Sequence, residues 1–313
     1  MKIGIISYLP DNEDMRSRRL EVHNKQIEWI KNYFDNTTVI VVAQNYQDSD
    51  ENILVDKYIR VGKCGPSNAR NYLLKELYTS KDNFMCILDN DVILYEYYNA
   101  KELINQMDEH PEQFENLDLI ESLSPVRCGF KEINTTSDRI LRYWTFERQY
   151  KGTTQHFAIF KNLNKYYNEE IYYSVETFEQ FGGGEDTEIG CHFTANGYNV
   201  VRCNQMIENH MEYDRSTIFF DKSGNHMDVK ERGKLDRSIL ASVANKYDYL
   251  SITPTGGLKI EYKPSIKHSK NMYGFMRGGR ITSWSIPRTF EYKLPENLIW
   301  KPKKVDTGKK KLI

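Results

Sequence analysis

Phe84-Met85-Cys86-Ile87-Leu88-Asp89-Asn90-Asp91 decides how the rest of the chain reads. Its apolar run fits a strand buried on both faces, as in a parallel sheet. In open α/β sheets ligands sit beyond the carboxyl ends of the strands, so Asp89 and Asp91 are expected at a binding crevice. Hard oxygen ligands there suit Mg²⁺ or Mn²⁺ held jointly with a diphosphate. The spacing alone is weak. Asp48-Ser49-Asp50 repeats it, but in a polar loop, and position separates the two. The plain alternative for Asp89-Asn90-Asp91 is an acidic turn that ends a strand.

The flanks supply the frame for that strand. Ile3 to Tyr8 is a short apolar run closed by Leu9-Pro10-Asp11-Asn12. A helical period follows, with Leu20, Ile27, Ile30 and Phe34 on one face. Thr38 to Ala43 and Ile53 to Arg60 read as strands. Pro66 opens a helix, a position that suits its fixed φ, and Ala69, Leu73, Leu74 and Leu77 face inward. Downstream, a helix over Ala100–Met107 precedes a strand over Leu117–Glu121 and another over Gln155–Phe160. A helix over Asp186–Asn196, closed by Gly197, and a strand over Tyr198–Arg202 follow. This β-α-β rhythm predicts an α/β fold, a Rossmann-like and mostly parallel central sheet flanked by helices. Beyond about Thr217 the apolar signal thins. The expected division is residues 1–217 as a catalytic domain and 218–313 as a basic acceptor-binding extension.

Composition narrows the class. The 313 residues are 28% charged and 39% hydrophobic, a globular balance that excludes a disordered or fibrous chain. No apolar run approaches the ~20 residues that span a bilayer, and none near Met1 has the length of a signal-peptide core. Cys64, Cys86, Cys128, Cys191 and Cys203 are scattered, without a Cys-x-x-Cys pair. A reduced, cytoplasmic setting with no membrane association is the expectation. The net charge of −1 is unevenly spread: Lys259 to Ile313 holds 14 Lys and Arg against 4 Asp and Glu, so that segment carries +10 and the rest −11. A basic tail on an acidic body suggests a polyanionic partner, or merely a solubilising terminus.

Three further elements carry chemistry. Gly65-Pro66-Ser67-Asn68-Ala69-Arg70-Asn71 places Arg70 and Asn71 in the first turns of a helix, where a guanidinium and an amide suit phosphate and nucleotide recognition. Alternatively it is only a well-started helix. Phe181-Gly182-Gly183-Gly184-Glu185-Asp186 allows close backbone approach to a ligand and then puts a carboxylate pair at a helix start. One carboxylate can orient a hydroxyl while the other removes its proton; acidic capping is the simpler reading. Met206-Ile207-Glu208-Asn209-His210 offers an imidazole just after a strand, a good Mn²⁺ partner to a carboxylate, although a lone histidine is usually structural. Separately, Arg139, Arg142 and Arg148 alternate with Tyr143, Trp144, Phe146 and Tyr150, a pattern that can grip phosphates and stack on a base.

Taken in order, G-P-S-x-A-R-N, apolar strand–D-x-D, G-G-E-D and M-I-x-x-H, from about Lys2 to Met211, resemble the GT-A nucleotide-sugar glycosyltransferases. They are most similar to the inverting group of polysaccharide synthases and β-galactosyltransferases. The resemblance implies a GT-A fold and a UDP-sugar donor with Mn²⁺ or Mg²⁺. It implies Asp91 and His210 as metal ligands, Asp186 as base and Glu185 as the acceptor's partner. Ser7, Arg70, Asn71, Asp89, Gly183 and Gly184 would bind the donor. Phe181 stands where Trp is common, with an extra glycine after it, and the segment beyond His210 has no clear counterpart. In overall character the chain also resembles the bacteriophage enzymes that glycosylate hydroxymethylcytosine in DNA. That implies glucose or arabinose as the sugar, DNA as acceptor partner, and Arg142, Trp144 and Arg148 as acceptor-binding residues. The rivals are a glycosyltransferase acting on a cell-surface polysaccharide or glycan, a nucleotidyltransferase, and a non-catalytic nucleic-acid-binding protein.

Overall fold

The computed structural model describes residues 1–95, 99–123, 142–152, 156–175, 184–211, 229–268, 274–277 and 280–289. β1 (Lys2–Tyr8) lies between β2 (Thr38–Gln44) and β4 (Phe84–Asp89), parallel to both, and β3 (Lys57–Val61) extends the parallel half beyond β2. α1 (Glu13–Tyr33) and α2 (Gly65–Tyr78) make the crossovers. Period-two alternation explains the unbroken apolar runs. Ile3, Ile5, Val39 and Val41 pack with Ile27, Ile30 and Phe34 on one face. Ile40, Val42, Met85 and Ile87 pack with Leu73, Leu74 and Leu77 on the other. Each such side chain contributes roughly 1.5–3 kcal/mol by leaving water.

The second half of the sheet is mixed. β8 (Phe157–Lys161) runs antiparallel between β4 and β6 (Leu119–Leu123). β9 (Val200–His210) is parallel to β6, and β7 (Tyr143–Arg148) is antiparallel to β9. The short β5 (Val92–Leu94) also pairs with β9. Two strands from the C-terminal region, β12 (Gly274–Arg277) and β13 (Arg280–Pro287), extend this edge through β7. Among the described residues the order is β12-β13-β7-β9-β6-β8-β4-β1-β2-β3. The architecture is α/β, with a large central sheet flanked by helices and most of its strands running one way. The expected boundary at residue 217 lies outside the described residues. On its far side, the helix Val229–Lys246 packs with β10 (Leu250–Ile252) and β11 (Leu258–Ile260) in a smaller core that includes Cys191.

Several element bounds differ from expectation. Ile53 is 98% exposed and the strand begins only at Lys57: the run Ile53-Leu54-Val55 is a turn, not a strand. The strand ending in Met206–His210 is one long element rather than a strand followed by a loop. No described helix is long and apolar enough to cross a membrane.

Candidate active site

The carboxyl ends of β1, β2, β4, β6 and β9 meet at one edge of the sheet. A cleft of about 440 Å³ opens there, lined by Tyr8, Lys63, Gly65, Arg70, Asp89 and Asp91 among others. The Asp89-Asn90-Asp91 turn is held from behind. The Gln26 amide of α1 donates to the carbonyls of Asp89 and Val92, each at 2.6 Å, and Asn90 Nδ2 donates to Ser7 Oγ at 3.1 Å. Asp48-Ser49-Asp50 is instead a single 3₁₀ turn, with Asp50 accepting from the Gln47 amide and paired with Arg16. Position separates the two motifs as expected.

Arg70 is the hub. It sits in the second turn of α2, which starts at Gly65 (φ +75°) and Pro66. Glycine, with no Cβ, adopts that φ freely. The guanidinium is 2% exposed, donates from Nη2 to Asp89 Oδ1 at 2.6 Å and from Nη1 to Glu185 Oε1 at 2.8 Å, and lies 3.3 Å from Asp186 Oδ1. One buried positive charge thus faces three carboxyls, and it cannot keep all three ionised. The result is a split. Burial opposes ionisation of Asp89, but Arg70 and the His156 hydrogen bond outweigh it and hold the carboxyl down at about 2. Asp186 loses that contest. Burial chiefly, and the neighbouring Glu185 and Asp89 charges, push it up to about 7 despite Arg70.

Glu185 and Asp186 open the helix Glu185–Ala195, whose N-cap Gly184 has φ +96°. The helix is seated by close backbone contact: a Cβ on Gly152 would come within 2.3 Å of the Asp186 carbonyl oxygen. It is also tied down by Glu188, fully buried, which accepts from Lys246 and Tyr247. Glu185 lines the cleft; Asp186 sits beside it, its side chain 13% exposed. Gly183 lies outside the described residues.

Asp91 and His210 come together as expected, Oδ2 to Nδ1 at 3.7 Å. Two residues that no motif pointed to join them. His156 stacks edge-on against His210, with ring centroids 4.5 Å apart, and its Nδ1 lies 2.8 Å from Asp89 Oδ2. Glu208 Oε1 lies 3.7 Å from His210 Nε2. Burial disfavours the charged imidazole of His210, but Asp91 and Glu208 overcome this and push it up to about 10. The site therefore draws positive charge. His156 arrives here because β8 runs antiparallel: its beginning lies where its neighbours end, and Asp89 faces His156 across the ladder. Glu208 shares a face with His210 because β9 continues through both.

Other expected site residues have different work. Both ends of the Asn71 amide are bound to the backbone of Tyr173, so Asn71 anchors the 171–173 segment and is not open to a donor. Ser7 Oγ is buried against Tyr46 Oη at 2.7 Å and supports Asn90. Trp144 is fully buried and donates Nε1–H to Gln106; it is a core residue, not a stacking surface, because alternation along β7 turns it inward. Arg148 donates to the Pro264 carbonyl at 2.7 Å and covers the Tyr150 ring. Arg142 is exposed. On the cleft's other wall Arg18, Arg19 and Lys63 add positive charge. Arg19 and Lys63 flank the Tyr8 ring, at 5.9 and 5.4 Å from its centroid.

No protein-family model matches the chain, and no curated protein matches it. Solved structures do resemble it at low identity. Residues 1–349 of TarS from S. aureus align over 78% of this chain and 66% of that one, with 14% identity and a TM-score of 0.44. The mannosyltransferase PcManGT from Pyrobaculum calidifontis, solved with GDP-Man and Mn²⁺, aligns over 82% of this chain and 66% of that one, at 12% identity and a TM-score of 0.49. Glucosyl-3-phosphoglycerate synthase from Mycobacterium tuberculosis, solved with Mn²⁺, UDP-glucose and phosphoglyceric acid, aligns over 85% and 86%, at 11% and 0.40. The chain spans about two thirds of the first two. Its chemistry is therefore argued from its own residues.

Proposed function

We propose that this chain is a metal-dependent glycosyltransferase of the GT-A type, moving a sugar from a UDP-sugar to a hydroxyl with inversion. The observation that carries the reading is the cluster at Arg70: one buried guanidinium at the cleft wall meets Asp89, Glu185 and Asp186, at 2.6, 2.8 and 3.3 Å. A general base works best with a pKa near the operating pH, and Asp186 fits that requirement. Its carboxylate takes the proton of the acceptor hydroxyl as that oxygen bonds to the anomeric carbon and the bond from carbon to the diphosphate oxygen breaks. Glu185 faces the cleft to orient the acceptor. Arg18, Arg19 and Lys63 line the same cleft and suit the leaving diphosphate. Asp91 and His210 suit a divalent cation, Mn²⁺ or Mg²⁺: Glu208 Oε1 nearby is buried with no hydrogen-bond partner, and the carboxylates already favour a cation there. When bound, such a cation supplies charge neutralisation to the departing diphosphate.

The finer reading takes hydroxymethylcytosine, free or already glycosylated, in duplex DNA as acceptor and glucose or arabinose as sugar. Its support is the +10 charge of Lys259 to Ile313, which suits a phosphate backbone. Trp144 and Arg148 add nothing to it, being committed within the fold. The alternative is a surface polysaccharide or glycan acceptor.

The test is a donor screen with Mn²⁺. Hydrolysis of a UDP-sugar without acceptor, and anomeric inversion in the transferred product, are expected. No turnover of any nucleotide sugar, or retention, sinks the glycosyltransferase or base assignment respectively. For the acceptor, modified and plain DNA are compared by nucleoside mass spectrometry. DNA binding should fall with salt at a log–log slope of about −0.9 per neutralised phosphate, and removal of Lys301 to Ile313 should flatten that slope. Transfer to a free oligosaccharide with none to DNA overturns the finer reading alone.

A further inference from the structure

The helix Glu185–Ala195 is held from two sides. Ile189 and Phe193, one turn apart, face the core of the main sheet. Cys191 faces the smaller core, where it packs with Val243, Tyr247 and Tyr249. Glu188, one turn before Cys191, faces the same way and is fully buried. Its Oε1 accepts from Lys246 Nζ and Tyr247 Oη, at the end of the helix Val229–Lys246, and its Oε2 is buried without a hydrogen bond. Tyr249 Oη adds a bridge: it donates to the Tyr150 carbonyl at 2.7 Å and lies 3.3 Å from the Cys191 carbonyl. Tyr150 leads into Gly152, whose backbone lies against Asp186, Thr187 and Gly190. Both jaws that seat this helix are thus tied to residues 246–249.

Packing alone does not call for an ion pair here. Taking a carboxylate and an ammonium out of water is costly, and an apolar pair of the same volume is often as stable. What the ion pair adds is direction. Two donors aimed at one oxygen fix the helix's rotation about its own axis, whereas apolar contacts are non-directional. A helix with its side chains is about 5–6 Å in radius, so a rotation of about 10° carries the Asp186 carboxyl by about 1 Å. A displacement of that size at a reacting group can cost about 100-fold in rate. Asp186 lies about 200° round the helix from Glu188, and 3.3 Å from Arg70. We propose that Glu188, through Lys246 and Tyr247, is a positioning residue for Asp186: it sets the angle at which the helix presents its first turn to the cleft. None of the three lines the cleft itself. The inference rests on the reading of Asp186 as base.

The test uses variants in which packing and direction part. Glu188→Leu with Lys246→Met and Tyr247→Phe exchanges the polar cluster for apolar side chains of similar volume, and should unfold in urea no earlier than the native chain. Its kcat for transfer should nevertheless fall by about 10- to 100-fold, with the Kd of the donor unchanged. Glu188→Gln still accepts from Lys246 and Tyr247 and should keep most of the rate. In an Asp186→Asn background the triple substitution should cost less than about twofold, because residues that act as a unit are not additive. Independently of turnover, the Asp186 carboxyl followed by carbon-13 NMR should move its midpoint by about half a pH unit in the triple variant, as its distance to Arg70 changes, and should stay in place in Glu188→Gln. A folded triple variant with native kcat, the same loss with and without Asp186→Asn, or an Asp186 midpoint that does not move overturns the proposal. If the triple variant does not fold, Tyr247→Phe alone, with the ion pair kept, carries the same readings. If the native chain transfers no sugar, the base reading falls, and the NMR midpoint decides whether Glu188 sets the position of Asp186.

Discussion

Asp186→Asn separates stability from activity in opposite directions. The Asp186 carboxyl is pushed from an ordinary 3.8 up to about 7, mainly by burial. In the unfolded chain it ionises near pH 4; in the folded protein it holds its proton until about pH 7. Between those values the native state binds more protons, so stability falls as pH rises, and the full penalty applies above pH 7. At about 1.4 kcal/mol per pH unit the penalty is on the order of 4 kcal/mol. Asparagine keeps the shape and cannot ionise, and Arg70 remains paired with Asp89 and Glu185. The variant should therefore be the more stable protein at pH 8, by up to about 4 kcal/mol, with the advantage shrinking toward zero near pH 4. Urea unfolding of both proteins from pH 4.5 to 8 measures this. Transfer should meanwhile drop by about 10² to 10⁴, with donor binding kept. A variant no more stable than the native chain at pH 8, or an advantage that does not change with pH, refutes the burial argument. Unimpaired transfer refutes the base.

Asp91→Ala and His210→Ala should each abolish Mn²⁺-dependent donor binding, read by calorimetry. Asp50→Ala should leave donor binding intact while lowering the melting temperature, because Asp50 caps a turn and pairs with Arg16. Trp144→Ala should cost roughly 3–5 kcal/mol in chemical unfolding, as removal of a large core side chain does, whereas Trp144→Phe should leave DNA binding unchanged. Gly152→Ala should impair transfer more than it weakens donor binding, since its methyl meets the backbone of the turn that carries Asp186; equal kcat in the variant would show that this contact does not seat the base.

Much of the frame was legible in the chain itself. Unbroken apolar runs at Ile3–Tyr8, Thr38–Ala43 and Phe84–Leu88 are what strands buried on both faces must look like, and the helical periods between them supply the crossovers. A D-x-D closing one such run reads as a crevice pair, while the same spacing in a polar loop does not. Arg70, Glu185 and Asp186 were visible as chemistry-bearing residues at helix starts. Their partnership was not, because it joins residues 115 apart in the chain, and which carboxyl is pushed up depends on how many share one guanidinium. His156 carried no local signal at all. It lies at the start of a strand, and only the antiparallel insertion of β8 between two parallel neighbours brings a strand's beginning to the edge where ligands sit. Trp144 misled for the converse reason: a period-two strand turns every second ring inward, and composition does not reveal the phase. Local pattern is written in neighbouring residues. The site is made of strand directions and of charges that meet only when the sheet is assembled.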